Sequence, residues 1–234
     1  ELTSQQRALY DQIRRETIVW IRTLDAGTLR LKAREVIVKM LRLSQICDGF
    51  LTDVAWDRPH EFDSPKITEL DGIIDEALAS GQKIVVWSRF AVLVRRLVDR
   101  YRQRYTDLCV MELSGRIPEK HRSAFIQAFQ NQEDPKICIG QIQTGGLGIN
   151  LYAASVEIFM EKALTSMASI LQAENRLHRI GQHSPVTIIS LQARQTIDEY
   201  WQHLLDRKQK LASQIFEMDT MPNLIQDDLA ELLT

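Results

Sequence analysis

The sequence predicts an α/β protein in which helices cover both faces of a parallel sheet, preceded by a helical lead-in. Five short apolar runs alternate with segments of helical periodicity, which is the pattern of a sheet wound with helices. The runs are almost continuously apolar, as expected of parallel strands that are buried on both faces. Two further helical patterns and a polar, turn-rich stretch come before the first run.

The lead-in is predicted to contain two helices, over residues 3–24 and 28–47, because apolar residues recur there at roughly helical spacing. The polar stretch over residues 52–65 is rich in aspartate and proline and marks the domain boundary. We therefore expect a helical lead-in or protrusion over residues 1–60 and the main domain over residues 61–216.

The main domain is predicted to alternate strands with helices. The strands are expected over residues 83–87, 109–113, 136–141, 155–160 and 186–191. The helices are expected over residues 66–79, 90–104, 118–130, 167–179 and 196–216. Sheets of this kind carry their functional loops at the carboxyl ends of the strands.

The last part of the chain, residues 217–234, contains acids and leucines but no lysine or arginine. It is predicted to form an acidic amphipathic tail. Docking on the main domain is the first expectation, and partner binding and regulation are the alternatives. The rest of the chain carries a slight excess of bases, which is too weak to diagnose nucleic-acid binding.

The composition excludes several classes of protein. With 44% hydrophobic and 26% charged residues, the chain is globular rather than disordered. Its three cysteines are far apart, so neither a disulfide framework nor a metal site is predicted. We find no secretory signal pattern, and the longest uncharged stretch, residues 137–156, is too polar and glycine-rich for a membrane helix. A cytoplasmic location (bacterial or phage) or a nuclear one is expected, without secretion or a membrane partner.

Two segments carry residues suited to phosphate chemistry, and the first contains two arginines. Gln172, Arg176 and Arg179 are spaced by four and three residues, so on a helix they share one face. Planar, permanently charged guanidinium groups suit the oxygens of a phosphoryl group in transfer. For an isolated pair of arginines, a basic helix face in solvent is the more common explanation.

The second segment, residues 143–151 (QTGGLGINL), directly follows the strand predicted at 136–141. Its glycines let the backbone approach a ligand closely and turn amide groups towards phosphate. Thr144 and Asn150 add side-chain hydrogen bonds. A tight turn is the alternative, because turns account for most glycine clusters.

Together and in this order, the two segments closely resemble motifs five and six of superfamily-two helicases. The form GGLGINL at 145–151 followed by RLHRIGQ at 176–182 is specific to the Swi/Snf-type DNA-dependent ATPases. The chain thus resembles the C-terminal RecA-like motor lobe of such an enzyme, which implies a RecA-like fold. Shorter matches extend the resemblance over most of the chain, and they include VWSRF at 86–90, LSG at 113–115, SPK at 64–66 and TIDE at 196–199.

The resemblance implies a role for each matching residue. Arg176 and Arg179 would reach the γ-phosphate of an ATP that is bound, with its Mg²⁺, mainly by the first RecA-like lobe of the same polypeptide. Gln172 would link that site to movement, while Gly148 and Asn150 match the part that meets the nucleotide. The positions that match DNA-backbone contacts are Ser88, Arg89, Ser114, Gly115, Arg116, Gln143, Thr144 and Gly145.

The function implied by the resemblance is that of the second motor lobe of an ATP-driven translocase on double-stranded DNA, with a possible nucleoprotein substrate such as chromatin to remodel. No glycine in the chain is followed by lysine, so the usual P-loop is absent and the lobe by itself is expected to be inactive as an ATPase. Two alternatives stay open: a non-catalytic regulatory module that binds DNA or protein, and an RNA-dependent ATPase.

The chain departs from the family between motifs five and six, where an Asp and a Trp-Asn-Pro element are usual and residues 160–165 read MEKALT. Glu161 is the candidate replacement for the acid. Two other features have simpler explanations. Asp75 and Glu76 resemble a magnesium motif but are predicted to be solvated residues of a helix. The arginines of residues 89–104 form a basic face that is as typical of a solvated surface as of a DNA contact.

Overall fold

The computed structural model describes residues 1–25, 28, 32–53, 57–134, 136–143, 151–162 and 185–214, without the side chains of residues 33 and 207–214. The helices are α1 (Ser4–Arg22), α2 (Ala33–Cys47), α3 (Pro65–Ala79), α4 (Ala91–Arg104), α5 (Glu119–Asn131) and α6 (Ile197–Gln214). The strands are β1 (Phe50–Leu51), β2 (His60–Glu61), β3 (Ile84–Ser88), β4 (Val110–Leu113), β5 (Ile137–Gln141), β6 (Val156–Phe159) and β7 (Thr187–Ser190). No described helix is long and apolar enough to cross a membrane.

Within its described residues, the lead-in contains the two predicted helices, α1 and α2. Helix α1 begins with a capping box, in which Gln6 N donates to Thr3 Oγ1 at 3.2 Å and Thr3 N donates to Gln6 Oε1 at 3.0 Å. Helix α2 ends at Cys47, and the chain then turns through Gly49, whose φ is +84°. A Cβ at Gly49 would lie 2.8 Å from Ser64 Cβ, so this turn also depends on the space that glycine leaves.

A two-stranded antiparallel sheet of β1 and β2 was not predicted. Strands of two residues are too short to show a period-two pattern, and β2 lies in the stretch expected to be irregular. Phe50 of β1 is fully buried, and its ring meets that of Phe90 edge-on with centroids 5.4 Å apart. The connection after the lead-in is therefore packed against the main domain.

The main sheet has five parallel strands in the order β4-β5-β3-β6-β7. All five predicted strands are present, and their ends differ from the predictions by at most one residue. Ser88, the last residue of β3, is the register partner of Gln141, the last of β5, so these strands end level with each other. This edge of the sheet carries the loops on which several candidate residues lie.

Helices cover both faces of the sheet because the side chains of each strand alternate. Val86 of β3 packs with residues of α3 and α4, while Val85 and Trp87 face the other side, where Phe129 of α5 is fully buried. The α/β architecture predicted from the apolar runs is thus confirmed. The four predicted helices at 66–79, 90–104, 118–130 and 196–216 are present within the described residues, and the one at 167–179 lies outside them.

The lead-in packs against helix α6, at the far end of the main domain in sequence. Tyr10 and Met40 share an apolar cluster with Ile197 and Trp201. Two hydrogen bonds join the same segments: Ile197 N donates to Tyr10 Oη at 2.7 Å, and Trp201 Nε1 donates to Ser44 Oγ at 3.2 Å. The beginning and the end of the described chain therefore meet.

Candidate functional site

The candidate residues that the structure describes lie at one edge of the sheet. Strands β4, β5 and β3 are neighbours, and their carboxyl ends carry Ser114 to Arg116, Gln143, and Ser88 with Arg89. The other predicted site residues fall outside the described residues, and these are Thr144, Gly145, Gly148, Asn150, Gln172, Arg176 and Arg179. The structure thus brings together the predicted DNA-contact positions of three strands, and the predicted ATP-contact positions stay predictions.

The loop after β3 is fixed by hydrogen bonds to neighbouring strands. Ser88 is fully buried, and its Oγ donates to Glu161 Oε1 at 2.9 Å while it accepts from Phe90 N at 3.0 Å. The backbone N–H of Arg89 donates to the same Glu161 oxygen, and the Arg89 carbonyl accepts from Gln141 Nε2 at 3.1 Å. Partial burial lowers the pKa of the Arg89 guanidinium, and the nearby Glu161 opposes that shift, so the side chain keeps its charge.

The loop after β4 is fixed by a carboxylate of its own strand. Glu112 is buried and accepts from Ser114 Oγ at 2.6 Å and from Arg116 Nη2 at 2.8 Å. Burial alone would raise the pKa of Glu112, but the hydrogen bonds from Ser114 and Arg116 lower it overall, so the carboxylate is charged at neutral pH. The Arg116 side chain is 54% exposed, so about half of it is open to solvent.

Glu161 lies just beyond the end of β6 and is 2% exposed. The sequence identified it as the candidate replacement for the family's acid, but its partners lie more than 70 residues away and gave no local signal. Burial raises the pKa of this carboxyl, the nearby Asp48 raises it further, and Lys66 opposes both. The structure therefore links Glu161 to the loop after β3 and to a buried charged cluster.

That cluster, which we call the Lys66 cluster, consists of Lys66, Asp48 and Asp198. Lys66 Nζ lies 2.7 Å from Asp48 Oδ1 and 3.0 Å from Asp198 Oδ2, and all three side chains are at most 5% exposed. Burial alone would lower the pKa of Lys66, but the two carboxylates raise it overall. The segments SPK at 64–66 and TIDE at 196–199, which the sequence matched separately, meet here. No sequence pattern singled out Asp48, which is the C-cap residue of α2.

The basic face of α4 contacts neighbouring elements. Arg96 donates to the carbonyl oxygens of Gly49 and Phe62, and Arg102 Nη2 donates to the carbonyl of Val110 at 3.2 Å. Further along the helix, Arg100 pairs with Asp71 and Arg104 pairs with Asp75, both on α3. Arg104 is 40% exposed and Asp75 is 47% exposed, in agreement with the predicted solvated position of Asp75.

No group of three or more His, Cys, Asp or Glu side chains suited to a metal ion occurs in the part of the chain that the structure describes. A small pocket lies beside Glu161, between the ends of β6 and β7 and the start of α6. Its lining includes Lys162, Asp198 and Trp201.

Comparison with protein families identifies one match over half of the chain. The profile of the helicase conserved C-terminal domain matches residues 65–181. An uncharacterized ATP-dependent helicase of Mycoplasma genitalium is 27% identical over 99% of this chain, which spans 22% of that protein. A putative ATP-dependent helicase/translocase of Bacillus subtilis is 25% identical over 100% of the chain, which spans 25% of it. This chain therefore covers about a quarter or less of these relatives.

Solved structures of the same kind share the fold. The SWI2/SNF2 ATPase core domain of Sulfolobus solfataricus superposes with a TM-score of 0.74 at 25% identity, covering 94% of this chain and 43% of that one. The same core in complex with double-stranded DNA gives a TM-score of 0.71 at 26% identity, covering 90% and 43%. The C-terminal part of the Fun30 ATPase domain, at 19% identity, matches in fold with a TM-score of 0.68, covering 87% and 85%.

Proposed function

This chain belongs to the helicase conserved C-terminal domain family, as the C-terminal RecA-like lobe of a Swi/Snf-type ATPase, and we propose that it acts as the second motor lobe of an ATP-driven translocase on double-stranded DNA. The observation that carries the proposal is the shared edge of β4, β5 and β3. Two arginines, Arg89 and Arg116, lie there on loops that the buried side chains of Glu161 and Glu112 hold in place. Fixed guanidinium groups suit the phosphates of a nucleic-acid backbone.

Duplex DNA is the proposed polymer. The related SWI2/SNF2 core that was solved with double-stranded DNA is 26% identical to this chain and supports that choice. Gly115 and Gln143 are exposed at the same edge of the sheet and add backbone and amide donors. The motor would work where DNA is found, in bacterial cytoplasm or in a nucleus.

The proposed ATP site is completed by residues from both lobes. Arg176 and Arg179 would reach the γ-phosphate, Gln172 would couple the site to movement, and Gly148 with Asn150 would contact the nucleotide. The relatives are named as ATP-dependent helicases, which supports the use of ATP. Mg²⁺ would be bound together with the ATP. Because the chain has no Gly-Lys P-loop, the first lobe would hold most of the nucleotide, and this lobe by itself would not turn over ATP.

The test uses the full-length protein with its first lobe. We expect Arg179→Ala to lower DNA-stimulated ATP turnover by about 10³-fold or more, as removal of an arginine finger does, while DNA binding stays intact. Arg95→Ala, which removes an exposed arginine of α4, is the matched control and should keep normal turnover. Normal turnover in the Arg179→Ala variant would refute the proposed role of this arginine.

The choice of polymer is tested separately by comparing ATP turnover with duplex DNA, single-stranded DNA and RNA. Duplex DNA should stimulate most. Equal or greater stimulation by RNA would contradict the DNA assignment, and DNA binding without any turnover would favour a non-catalytic module.

A further inference from the structure

We propose that Glu161 and Glu112 are positioning residues, which hold the loops of Arg89 and Arg116 in the geometry that contacts DNA phosphates. The inference rests on the proposed function, because it assigns a purpose to two buried carboxylates at the edge where DNA would bind. The sequence resemblance assigned neither residue such a role.

Glu161 acts on its loop through the backbone. One oxygen, Oε1, accepts from both the Ser88 hydroxyl and the Arg89 N–H, and it reaches them from the neighbouring strand β6. On the other side, Gln141 Nε2 donates to the Arg89 carbonyl at 3.1 Å. The peptide groups on both sides of Arg89 are therefore held by side chains of adjacent strands. These contacts fix the backbone position from which the Arg89 side chain extends.

Glu112 acts on its loop through side chains. Its two oxygens are divided between Ser114 Oγ at 2.6 Å and Arg116 Nη2 at 2.8 Å. The Glu112 side chain is 4% exposed whereas the Arg116 side chain is 54% exposed, so a buried carboxylate holds one end of a half-exposed side chain. A guanidinium has five N–H donors, so a group held by Glu112 keeps donors for a phosphate. Holding it in one orientation lowers the entropy lost on binding.

Packing does not explain these two carboxylates. A buried carboxylate costs free energy unless its oxygens accept hydrogen bonds, and an apolar side chain of similar size would fill the same space at lower cost. The hydrogen bonds that Glu161 and Glu112 accept are donated by residues at the loops that carry Arg89 and Arg116. The common feature of the two sites is thus the fixation of an arginine-bearing loop.

The first measurement is the affinity of the full-length protein for duplex DNA, by fluorescence anisotropy. Glu161→Ala and Glu112→Ala should each weaken binding by about three- to tenfold, the size of one or two lost hydrogen bonds. Glu161→Gln should recover most of the affinity, since its amide oxygen can accept from the same two donors. Glu157→Gln is the matched control and should leave the affinity unchanged. Glu157 is a buried glutamate of β6, and it accepts from Trp87 Nε1 at 2.7 Å inside the core rather than from a loop that carries an arginine.

The second measurement separates positioning from general destabilisation. In an Arg89→Ala background, Glu161→Ala should have no further effect on affinity, while Glu112→Ala should keep its full effect. The reverse should hold in an Arg116→Ala background. Thermal melting of each variant shows the fraction that is folded at the assay temperature, so affinities are compared between folded proteins.

The outcomes distinguish this inference from the proposed function. If Arg89→Ala and Arg116→Ala weaken DNA binding but the two glutamate variants do not, the positioning role is wrong and the DNA interface stands. Effects that add in every background also overturn the positioning role. If neither arginine variant changes the affinity, the DNA interface is wrong, and the inference is wrong with it.

Discussion

Gly140, in the middle of β5, leaves the space that the indole of Trp87 occupies on the neighbouring strand. A Cβ at Gly140 would lie 2.3 Å from Trp87 Cζ3 and 2.7 Å from Cε3. The indole has no room to withdraw, because Trp87 is fully buried and its Nε1 donates to the buried Glu157. The contact between β3 and β5 at this point therefore requires glycine.

We predict that Gly140→Ala destabilises the protein by about 1–3 kcal/mol, the usual cost of an overpacked core. Gly72→Ala is the matched control, since Gly72 lies within α3 with nothing within 4 Å of its added Cβ. That change should stabilise the helix by up to about 1 kcal/mol. Urea unfolding monitored by circular dichroism measures both, and equal shifts in the two variants would contradict this account.

At the scale of single residues, the sequence identified candidate site residues better than it identified the side chains that contact them. The resemblance to Swi/Snf-type ATPases placed Arg89 and Arg116 among the candidate DNA contacts, and the structure puts both at one edge of the sheet. The sequence could not show that Glu161 accepts hydrogen bonds from Ser88 and Arg89, because contact between the loops after β6 and β3 depends on strand order. Gly140 was visible only as a strand residue, since the close approach of Trp87 is a property of register.

The basic helix α4 is the element whose sequence allowed two explanations. Its arginines are arranged along one face, and in the structure Arg100 and Arg104 pair with Asp71 and Asp75, four residues apart on α3. These pairs join two neighbouring helices of the same sheet face. Partly exposed ion pairs of this kind contribute little to stability, about 0–1 kcal/mol each.

We predict that replacing both Arg100 and Arg104 by glutamine changes DNA affinity less than twofold, because these guanidinium groups are engaged within the lobe. The expected loss of stability is at most about 1–2 kcal/mol for the pair of substitutions. Arg89→Ala, in contrast, should weaken DNA binding measurably. Anisotropy titrations at two salt concentrations check this, and a loss in the double variant as large as that of Arg89→Ala would make α4 part of the DNA surface.

The elements themselves were largely predictable, but their arrangement was not. Apolar runs identified the five strands of the sheet because burial on both faces leaves a local signal. The order β4-β5-β3-β6-β7 has no such signal, since β5 inserts between β3 and β4 although it follows both in sequence. The strands β1 and β2 were not predicted, because strands of two residues are too short to show a sequence pattern.

Across the whole molecule, the Lys66 cluster joins three parts that are distant in sequence. Asp48 follows the last residue of α2, Lys66 lies in the first turn of α3, and Asp198 lies in the first turn of α6. Glu161 also interacts electrostatically with this cluster, so one ammonium group is set against three buried carboxyl groups. If all three carboxyl groups were ionised, the cluster would carry a net negative charge.

We predict that Lys66→Met destabilises the protein by about 3–5 kcal/mol, because it leaves buried carboxylates without their cation. Lys136→Met is the control: Lys136 pairs at 3.8 Å with Glu133, whose side chain is 91% exposed, so its loss should cost less than about 1 kcal/mol. Chemical denaturation of both variants gives the comparison, and a Lys66→Met variant as stable as the control would show that the cluster does not need its cation.

The same cluster makes stability depend on pH. Burial raises the pKa of Asp48 to about 7, with Lys66 opposing the shift, whereas an unfolded aspartate has a pKa of about 3.9. Folding therefore takes up a proton at Asp48 between these values. The stabilisation that this proton provides is fully present below about pH 4 and is lost as the pH rises through about 7.

Asp48→Asn resembles the protonated form at every pH, and this sets the last prediction. Between pH 5 and pH 8 the wild-type protein should lose stability relative to Asp48→Asn, because only the wild type must bury a new charge. Other titrating groups are common to the two proteins and cancel in the difference. Urea unfolding at both pH values measures that difference. If it is the same at pH 5 and pH 8, Asp48 does not hold a proton in the folded protein, and Lys66 must be compensating its charge throughout.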